Sequence, residues 1–364
     1  MSSLRVGIVG LPNAGKTTLF NALSRADATV ASYPFTTVEP NVGVVPVRDP
    51  RLEAVAELAE CKRRVPATVR FVDIAGLVEG ASKGEGLGNR FLANIREVDA
   101  VVHVVRGFES GNVAHVAGAL DPVRDAELIE TELRLADIEV LGREIHKAKA
   151  AAKSGSRDKI TRQEGLEALE VLIEAPGTID QIRASGLADS CALEAGLLSM
   201  KPTLVVLNVG DDAGAAEGHA RELGVWAAER GQPVLTVNAE IEAELAELEP
   251  DEAAEFEEAM GIAEESLARV IRASYQLLGL ITFFSIDSGE CRAWPVPVGC
   301  RADAAAGCIH TDFERGFVKA EVVHQEDFLS CGCFATARES GALRLEGRDY
   351  LVQDGDVIHF KFAT

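Results

Sequence analysis

No stretch of this 364-residue chain approaches the roughly 18 consecutive apolar residues that a membrane-spanning helix needs, so no spanning segment is expected. Met1-Ser2-Ser3-Leu4-Arg5 runs directly into an apolar segment, without a basic stretch followed by a long apolar one. No signal peptide is therefore expected, and the chain reads as cytoplasmic with no membrane partner. Basic charge is also scarce. Lys and Arg number 36 against 58 Asp and Glu, giving a formal net charge of −22. That balance favours solubility and argues against a protein that coats nucleic acid over its whole surface, while leaving room for a local basic patch. The 7 cysteines (Cys61, Cys191, Cys291, Cys300, Cys308, Cys331, Cys333) show neither the repeated spacing of a zinc site nor the density of a secreted disulfide framework. Reduced, mostly structural thiols are expected. Cys331-Gly332-Cys333 is the single close pair, and with no partner ligands nearby it reads as loop or strand.

What is present is apolar material enough for a sizeable core, at 47% of residues, and length enough for two or three domains. Residues 4–9 form a short apolar run ending at a glycine, and residues 16–23 then carry helical periodicity. Apolar runs at 69–74, 100–105, 203–207 and 234–237 have the character of buried parallel strands. Strands alternating with helices predict an α/β domain with a parallel-type sheet and helices on both faces. The pattern breaks between 124 and 198. There Leu135, Ile138, Leu141 and Ile145, then Leu166, Leu169 and Leu172, recur at helical spacing on either side of Ser154-Gly155-Ser156. A helical hairpin inserted into the α/β domain is expected. From about residue 279 short strand-like segments alternate with turns, at 282–284, 291–296, 318–323, 350–352 and 357–362, as in a small β-rich domain. The acidic stretch 240–265 reads as a solvated helical face.

Gly10-Leu11-Pro12-Asn13-Ala14-Gly15-Lys16-Thr17 fits G-x-x-x-x-G-K-[ST] between a strand and a helix, the context the motif requires. A triphosphate is highly anionic. A glycine loop lets backbone N–H groups converge on its oxygens, and the following helix presents its positive end. Lys16 would meet the β- and γ-phosphates, and Thr17 would give its hydroxyl to Mg²⁺. Asp73-Ile74-Ala75-Gly76 ends a strand, which places Asp73 to hold Mg²⁺ through water and Gly76 to present its N–H to the γ-phosphate. Thr36 and Thr37 lie between these motifs, where one closes over the metal when the γ-phosphate is bound. The position after D-x-x-G, a water-orienting glutamine in many such proteins, is Leu77. It can neither donate nor accept a hydrogen bond, so water positioning falls to another group, with His115 a candidate. His103, inside an apolar run, reads as structural. Asn208-Val209-Gly210-Asp211 follows the next strand where guanine-reading proteins carry N-K-x-D. Val209 replaces the lysine whose stem covers the base, and Asn238 is a further candidate for base contact.

Together these residues resemble the Obg-like ATPase family of YchF type. His310-Thr311-Asp312-Phe313-Glu314-Arg315-Gly316-Phe317 and Asp354-Gly355-Asp356-Val357 match it as well, so the likeness spans essentially the whole chain. The resemblance implies a P-loop G domain over 1–123 and 199–278, a helical coiled-coil arm over 124–198 and a C-terminal TGS domain, small, β-rich and α+β, over 279–364. It implies ATP preferred to GTP, slow hydrolysis, Mg²⁺ as cofactor and a ribosomal partner. Carried over by residue, Asn13, Ala14, Gly15, Lys16, Thr17 and Thr18 would contact phosphates, and Thr17 and Thr37 would serve Mg²⁺. His115 matches a histidine proposed to position water. Asn13 also resembles the asparagine that holds a potassium ion in some related switches. The family commonly has Glu where Asp211 stands, and Asp is the guanine-reading type, so a GTPase of the same fold is the alternative. A nucleotide-gated binding module with incidental turnover is another. The chain is expected to act as a monomer.

Against the acidic whole, residues 143–162 hold Arg143, Lys147, Lys149, Lys153, Arg157, Lys159 and Arg162 with only Glu144 and Asp158 opposing. A basic tip on the hairpin is the electrostatic footprint of phosphate binding. Contact with ribosomal RNA is expected there and through the C-terminal domain. It would be shape- and backbone-based, because this stretch has no aromatic residue to stack on bases.

Overall fold

A computed structural model of the chain describes residues 4–25, 41–74, 86–109, 120–174, 195–210, 212–248 and 266–363, with 252 and 256. In chain order the elements are β1 (Arg5–Val9), α1 (Lys16–Arg25), β2 (Val42–Pro46), α2 (Pro50–Leu58), β3 (Arg63–Val65), β4 (Thr68–Asp73), α3 (Gly86–Arg96), β5 (Ala100–Gly107), α4 (Pro122–Ala152) and α5 (Arg157–Glu174). Then follow β6 (Thr203–Val209), α6 (Ala213–Ala228), β7 (Val234–Val237), α7 (Ala239–Leu245) and α8 (Ser266–Leu277). The last third carries β8 (Leu280–Asp287), β9 (Glu290–Pro297), α9 (Ala302–Ile309), α10 (Thr311–Arg315), β10 (Phe317–His324), α11 (Gln325–Cys331), α12 (Phe334–Glu339), β11 (Arg344–Glu346) and β12 (Asp356–Phe362). No helix among the described residues is long and apolar enough to cross a membrane.

Two compact units divide the chain. The first holds Leu4–Gly43 and Arg70–Val270. The sheet ordered β2-β4-β1-β5-β6-β7 has β1, β5, β6 and β7 wholly in this unit, with β1–β4, β1–β5, β5–β6 and β6–β7 all parallel. Strand β5 is buried at all eight positions, as expected where helices cover both faces. The parallel register sets Ile8 beside Asp73, Val9 beside His103 and Asn208 beside both Arg106 and Val237. Loops at the carboxyl ends of these strands therefore converge, and ligands of open α/β sheets bind at that edge.

The inserted hairpin is rooted in this unit. Helix α4 starts at Pro122, with Asp121 accepting from the Arg124 N–H as N-cap. At 31 residues it is about 45 Å long. Its first half packs Ile129, Leu133 and Ala136 against Phe91, Ile95 and Val101 of the sheet core. Its second half packs Leu141, Ile145 and Ala148 against Leu166, Leu169 and Ile173 of α5. Asp137 is fully buried and accepts from the backbone N–H groups of Leu198 (2.7 Å) and Ser199 (2.8 Å) and from the Ser199 hydroxyl (2.7 Å), closing the base of the insertion. In the acidic stretch, Glu242 departs from the expected solvated face, being buried on α7.

The second unit holds Val44–Val69 with Ile271–Thr364. From the sequence, 44–69 is expected within the nucleotide domain, with the later boundary at 278. Here the boundary falls inside α8, and β3 pairs in parallel with β9, extending a sheet ordered β11-β10-β12-β8-β9-β3. The composition of 44–69 resembles that of its surroundings and does not show this membership, which depends on the distant pairing of β3 with β9. Helix α9 lays Ala302, Ala305 and Ala306 on Phe283, Val322 and Phe360. Arg51 of α2 reaches both Asp49 (2.8 Å) and Asp354 (2.6 Å), and Asp354 accepts from the Thr282 N–H at 2.8 Å. The expected strand at 350–352 is only a single bridge between Leu351 and Arg301, because Tyr350 and Gln353 are turned to the buried Asp356.

Candidate functional site

The loop after β1 is built for anions. Asn13 adopts a left-handed backbone (φ 65°), and Gly15 does so at φ 91°. At Gly15 a Cβ would stand 2.1 Å from Asn208 Nδ2, so glycine alone fits. Helix α1 begins at Lys16, and its first-turn N–H groups have no intrahelical acceptors. They face the same edge as the loop, giving it its positive end.

Lys16 is buried, and its Nζ donates to the Leu11 carbonyl at 2.8 Å, folding the side chain back across the loop. Burial pushes its ammonium below the ordinary value of 10.5, and the Asp73 carboxylate opposes that shift. The Thr17 hydroxyl donates to Asp73 Oδ2 at 2.9 Å. Asp73 Oδ1 is buried without a hydrogen-bond partner among the described residues. A hydroxyl and an unsatisfied carboxylate oxygen side by side are hard oxygen donors, and they suit Mg²⁺, which keeps waters and takes one or two protein oxygens beside substrate phosphates. Among the described residues no group of three or more His, Cys, Asp or Glu is gathered to hold a metal by protein ligands alone.

His103 lies beneath the loop on β5, buried, its imidazole pushed down to about 4 by burial and by the nearby Lys16 charge. It is neutral at physiological pH, as a structural histidine should be. Asn13 is exposed on the loop and Thr18 in the first turn of α1, whereas Ala14 is buried. Thr37, Gly76, Leu77, His115 and Asp211 lie outside the described residues.

Asn208 does more than the sequence suggested. Its Nδ2 donates to the Ala14 carbonyl (3.0 Å), and its Oδ1 accepts from the Ala239 N–H (3.0 Å), so one carboxamide bridges the phosphate loop and the start of α7. Val209 points to the opposite face of β6. It packs with Val205 and Leu207 against Val105, Leu223 and Trp226, because alternate strand residues share a face. Its side chain is part of the core, not a cover for a base. Asn238 caps α7, its Oδ1 accepting from the N–H groups of Glu240 and Ile241, each at 3.2 Å. Arg106 is a buried guanidinium 4.6 Å from the Phe108 ring centroid at the end of β5, with Nε donating to the Phe108 carbonyl, and no motif marks it. A charged residue inside an otherwise apolar strand was the available signal.

At the other end of this unit the arm carries its basic tip. Lys147 pairs with Glu144 (2.7 Å) and Lys149 with Glu167 (3.0 Å). Lys153 and Arg157 are exposed, with no ion pair among the described residues.

Comparison with known proteins bears on both regions. A family described as "50S ribosome-binding GTPase" matches residues 5–138, and the C-terminal domain of YchF-type GTPases, described as a protein of unknown function, matches 280–363. The chain is similar to the "Ribosome-binding ATPase YchF" of Haemophilus influenzae, at 49% identity over 362 residues covering 98% of this chain and 99% of the relative. It is likewise similar to the protein of that name from Escherichia coli O157:H7, at 46% identity over 358 residues with 98% and 99% coverage. The solved structure of the Schizosaccharomyces pombe YchF GTPase superposes with a TM-score of 0.86 at 30% identity, covering 99% of this chain and 98% of that one.

Proposed function

The chain belongs to the YchF family of ribosome-binding ATPases, and we propose that it hydrolyses ATP slowly at the loop Gly10 to Thr17 as a switch for its association with ribosomes. The observation that carries the site assignment is the Thr17–Asp73 pair, 2.9 Å apart, with Asp73 Oδ1 unsatisfied among the described residues beside the loop. Thr17 and Thr37 would hold Mg²⁺, with Asp73 acting through water. When bound, the ion neutralises charge on the β- and γ-phosphate oxygens. Asn13, Ala14, Gly15 and Thr18 surround the phosphates with N–H groups, and Lys16 leaves the Leu11 carbonyl to meet them. Water attacks the γ-phosphorus as the bond to the bridging oxygen breaks. This step depends on positioning and charge, not on covalent chemistry by the protein. Leu77 removes the usual orienting glutamine, which accounts for slow turnover and leaves the water to His115 and the Gly76 N–H.

The arm tip is the surface we assign to ribosomal RNA, alongside the C-terminal domain. Its side chains contact backbone phosphates, and the protein acts there as a cytoplasmic monomer. The test of the phosphate site is Lys16→Ala in the full chain. Charge-assisted bonds are worth about 1.5–3 kcal/mol each, so losing the lysine's contacts should weaken ATP binding at least about a hundredfold. Unchanged ATP affinity in a folded Lys16→Ala protein sinks the assignment.

A further inference from the structure

Three of the six described cysteines are fully packed away, and Cys308, like Cys331, is half-buried. Cys61, Cys291 and Cys300 are buried and Cys308 is half-buried, and burial pushes all four thiols above their ordinary value, Cys291 to about 12 and Cys300 to about 11. Cys331 and Cys333 differ. Cys333 is exposed at the start of α12 and Cys331 half-exposed at the end of α11. Each sulfur touches a hydroxyl of the same short stretch: Cys331 Sγ lies 3.4 Å from Ser340 Oγ, and Cys333 Sγ lies 3.4 Å from Thr336 Oγ1. The Thr336 hydroxyl, then the N–H groups of Thr336 and Ala335, hold the Cys333 thiol below its usual value.

The link between the two cysteines is a single residue, Gly332, with φ 85° and, among the described residues, no atom within 4 Å of where its Cβ would be. The link has no side chain to pack, its N–H donates to the Phe328 carbonyl at 2.9 Å, and the helices on either side are anchored. Phe328 meets Phe334 edge-on at 5.3 Å, Ala337 is buried, and Arg338 binds Glu321 at 2.7 Å. Closing the pair takes rotation about the two cysteine side chains together with adjustment at Gly332, where no side chain stands in the way.

We propose that Cys331 and Cys333 form a reactive dithiol that undergoes thiol–disulfide exchange with small disulfides, closing a Cys331–Cys333 disulfide on the surface of the C-terminal unit. The Cys333 thiolate attacks one sulfur of the small disulfide, forming a mixed disulfide and expelling one thiolate. Cys331, giving up its proton to solvent, attacks Cys333 Sγ and expels the second thiolate. Two thiols of the protein are oxidised and one disulfide is reduced to two thiols, so electrons and protons balance. A ring this small is strained, and strained, exposed disulfides are the readily reduced ones, so the exchange runs in both directions.

Native full-length protein treated with glutathione disulfide, alkylated and mapped by peptide mass spectrometry tests this, and mapping keeps Cys191 separate. The parent should lose two hydrogens at 331–333 and retain no glutathione. Cys331→Ser should stop at one glutathione on Cys333. Cys333→Ser should react more slowly at the remaining, less exposed thiol, since exchange rate depends on access as well as on thiolate. Brief dithiothreitol should restore both thiols. Glutathione retained by the parent at Cys333, or reaction at Cys61, Cys291, Cys300 or Cys308 as fast as at this pair, overturns the proposal.

Discussion

Asn208 donates to the carbonyl of Ala14 at 3.0 Å, although 194 residues separate them in the chain. The same side chain accepts from Ala239, so the phosphate loop and the region after β7 share one support. Asn208→Ala leaves the buried Ala239 N–H without its acceptor and frees the loop. The expected loss is about 1–3 kcal/mol of nucleotide affinity, roughly ten- to hundredfold in Kd. Asn208→Asp keeps an acceptor for Ala239 but turns an oxygen toward the Ala14 carbonyl, and should lose at least as much. Titration calorimetry on both variants checks this; parental affinity in Asn208→Ala contradicts it.

His103 gives a pH signature of the loop's packing. Its folded value, about 4, lies below the ordinary 6.5. Between those values the unfolded chain takes up a proton that the folded chain refuses, so this contribution to stability is complete above pH 6.5 and falls as pH drops toward 4. The difference amounts to about 3 kcal/mol. Urea unfolding at pH 7 and pH 4.5 should therefore show a larger loss for the parent than for His103→Gln. Equal losses would mean that His103 is not held neutral.

The arm tip separates packing charges from free ones. Lys147 and Lys149 are engaged with Glu144 and Glu167, while Lys153 and Arg157 are not so engaged. Lys153→Gln with Arg157→Gln and Lys159→Gln should weaken ribosome co-sedimentation and lower the salt slope by about two to three, near one per lost phosphate contact. ATP affinity should not change. Co-sedimentation equal to the parent at several salt concentrations removes the tip as the RNA surface.

Much of this was legible in the sequence, and unevenly so. The loop Gly10 to Thr17 and Asp73 were readable because their chemistry dictates residue types at fixed spacing. The arm was readable because Leu141, Ile145, Leu166 and Leu169 repeat at helical period. The direction of the Val209 side chain was not legible, since its place in a motif says nothing about which strand face it occupies; alternation with Val205 and Leu207 packs it against the core. Membership of 44–69 in the C-terminal unit was hidden because it depends on β3 finding β9, a pairing between residues more than two hundred positions apart. The helices α9, α11 and α12 were read as turns because helices this short show too few periods to register.

The central claim, a magnesium-dependent ATP site at Lys16, Thr17 and Asp73, is tested most directly by calorimetry of ATP and GTP side by side on the full chain with Mg²⁺ present. Val209 packs into the core, and no lysine stem covers a guanine at that position. The account predicts that ATP binds tighter than GTP and that chelating Mg²⁺ weakens ATP binding. Equal or reversed affinities, or ATP binding indifferent to chelation, would contradict it.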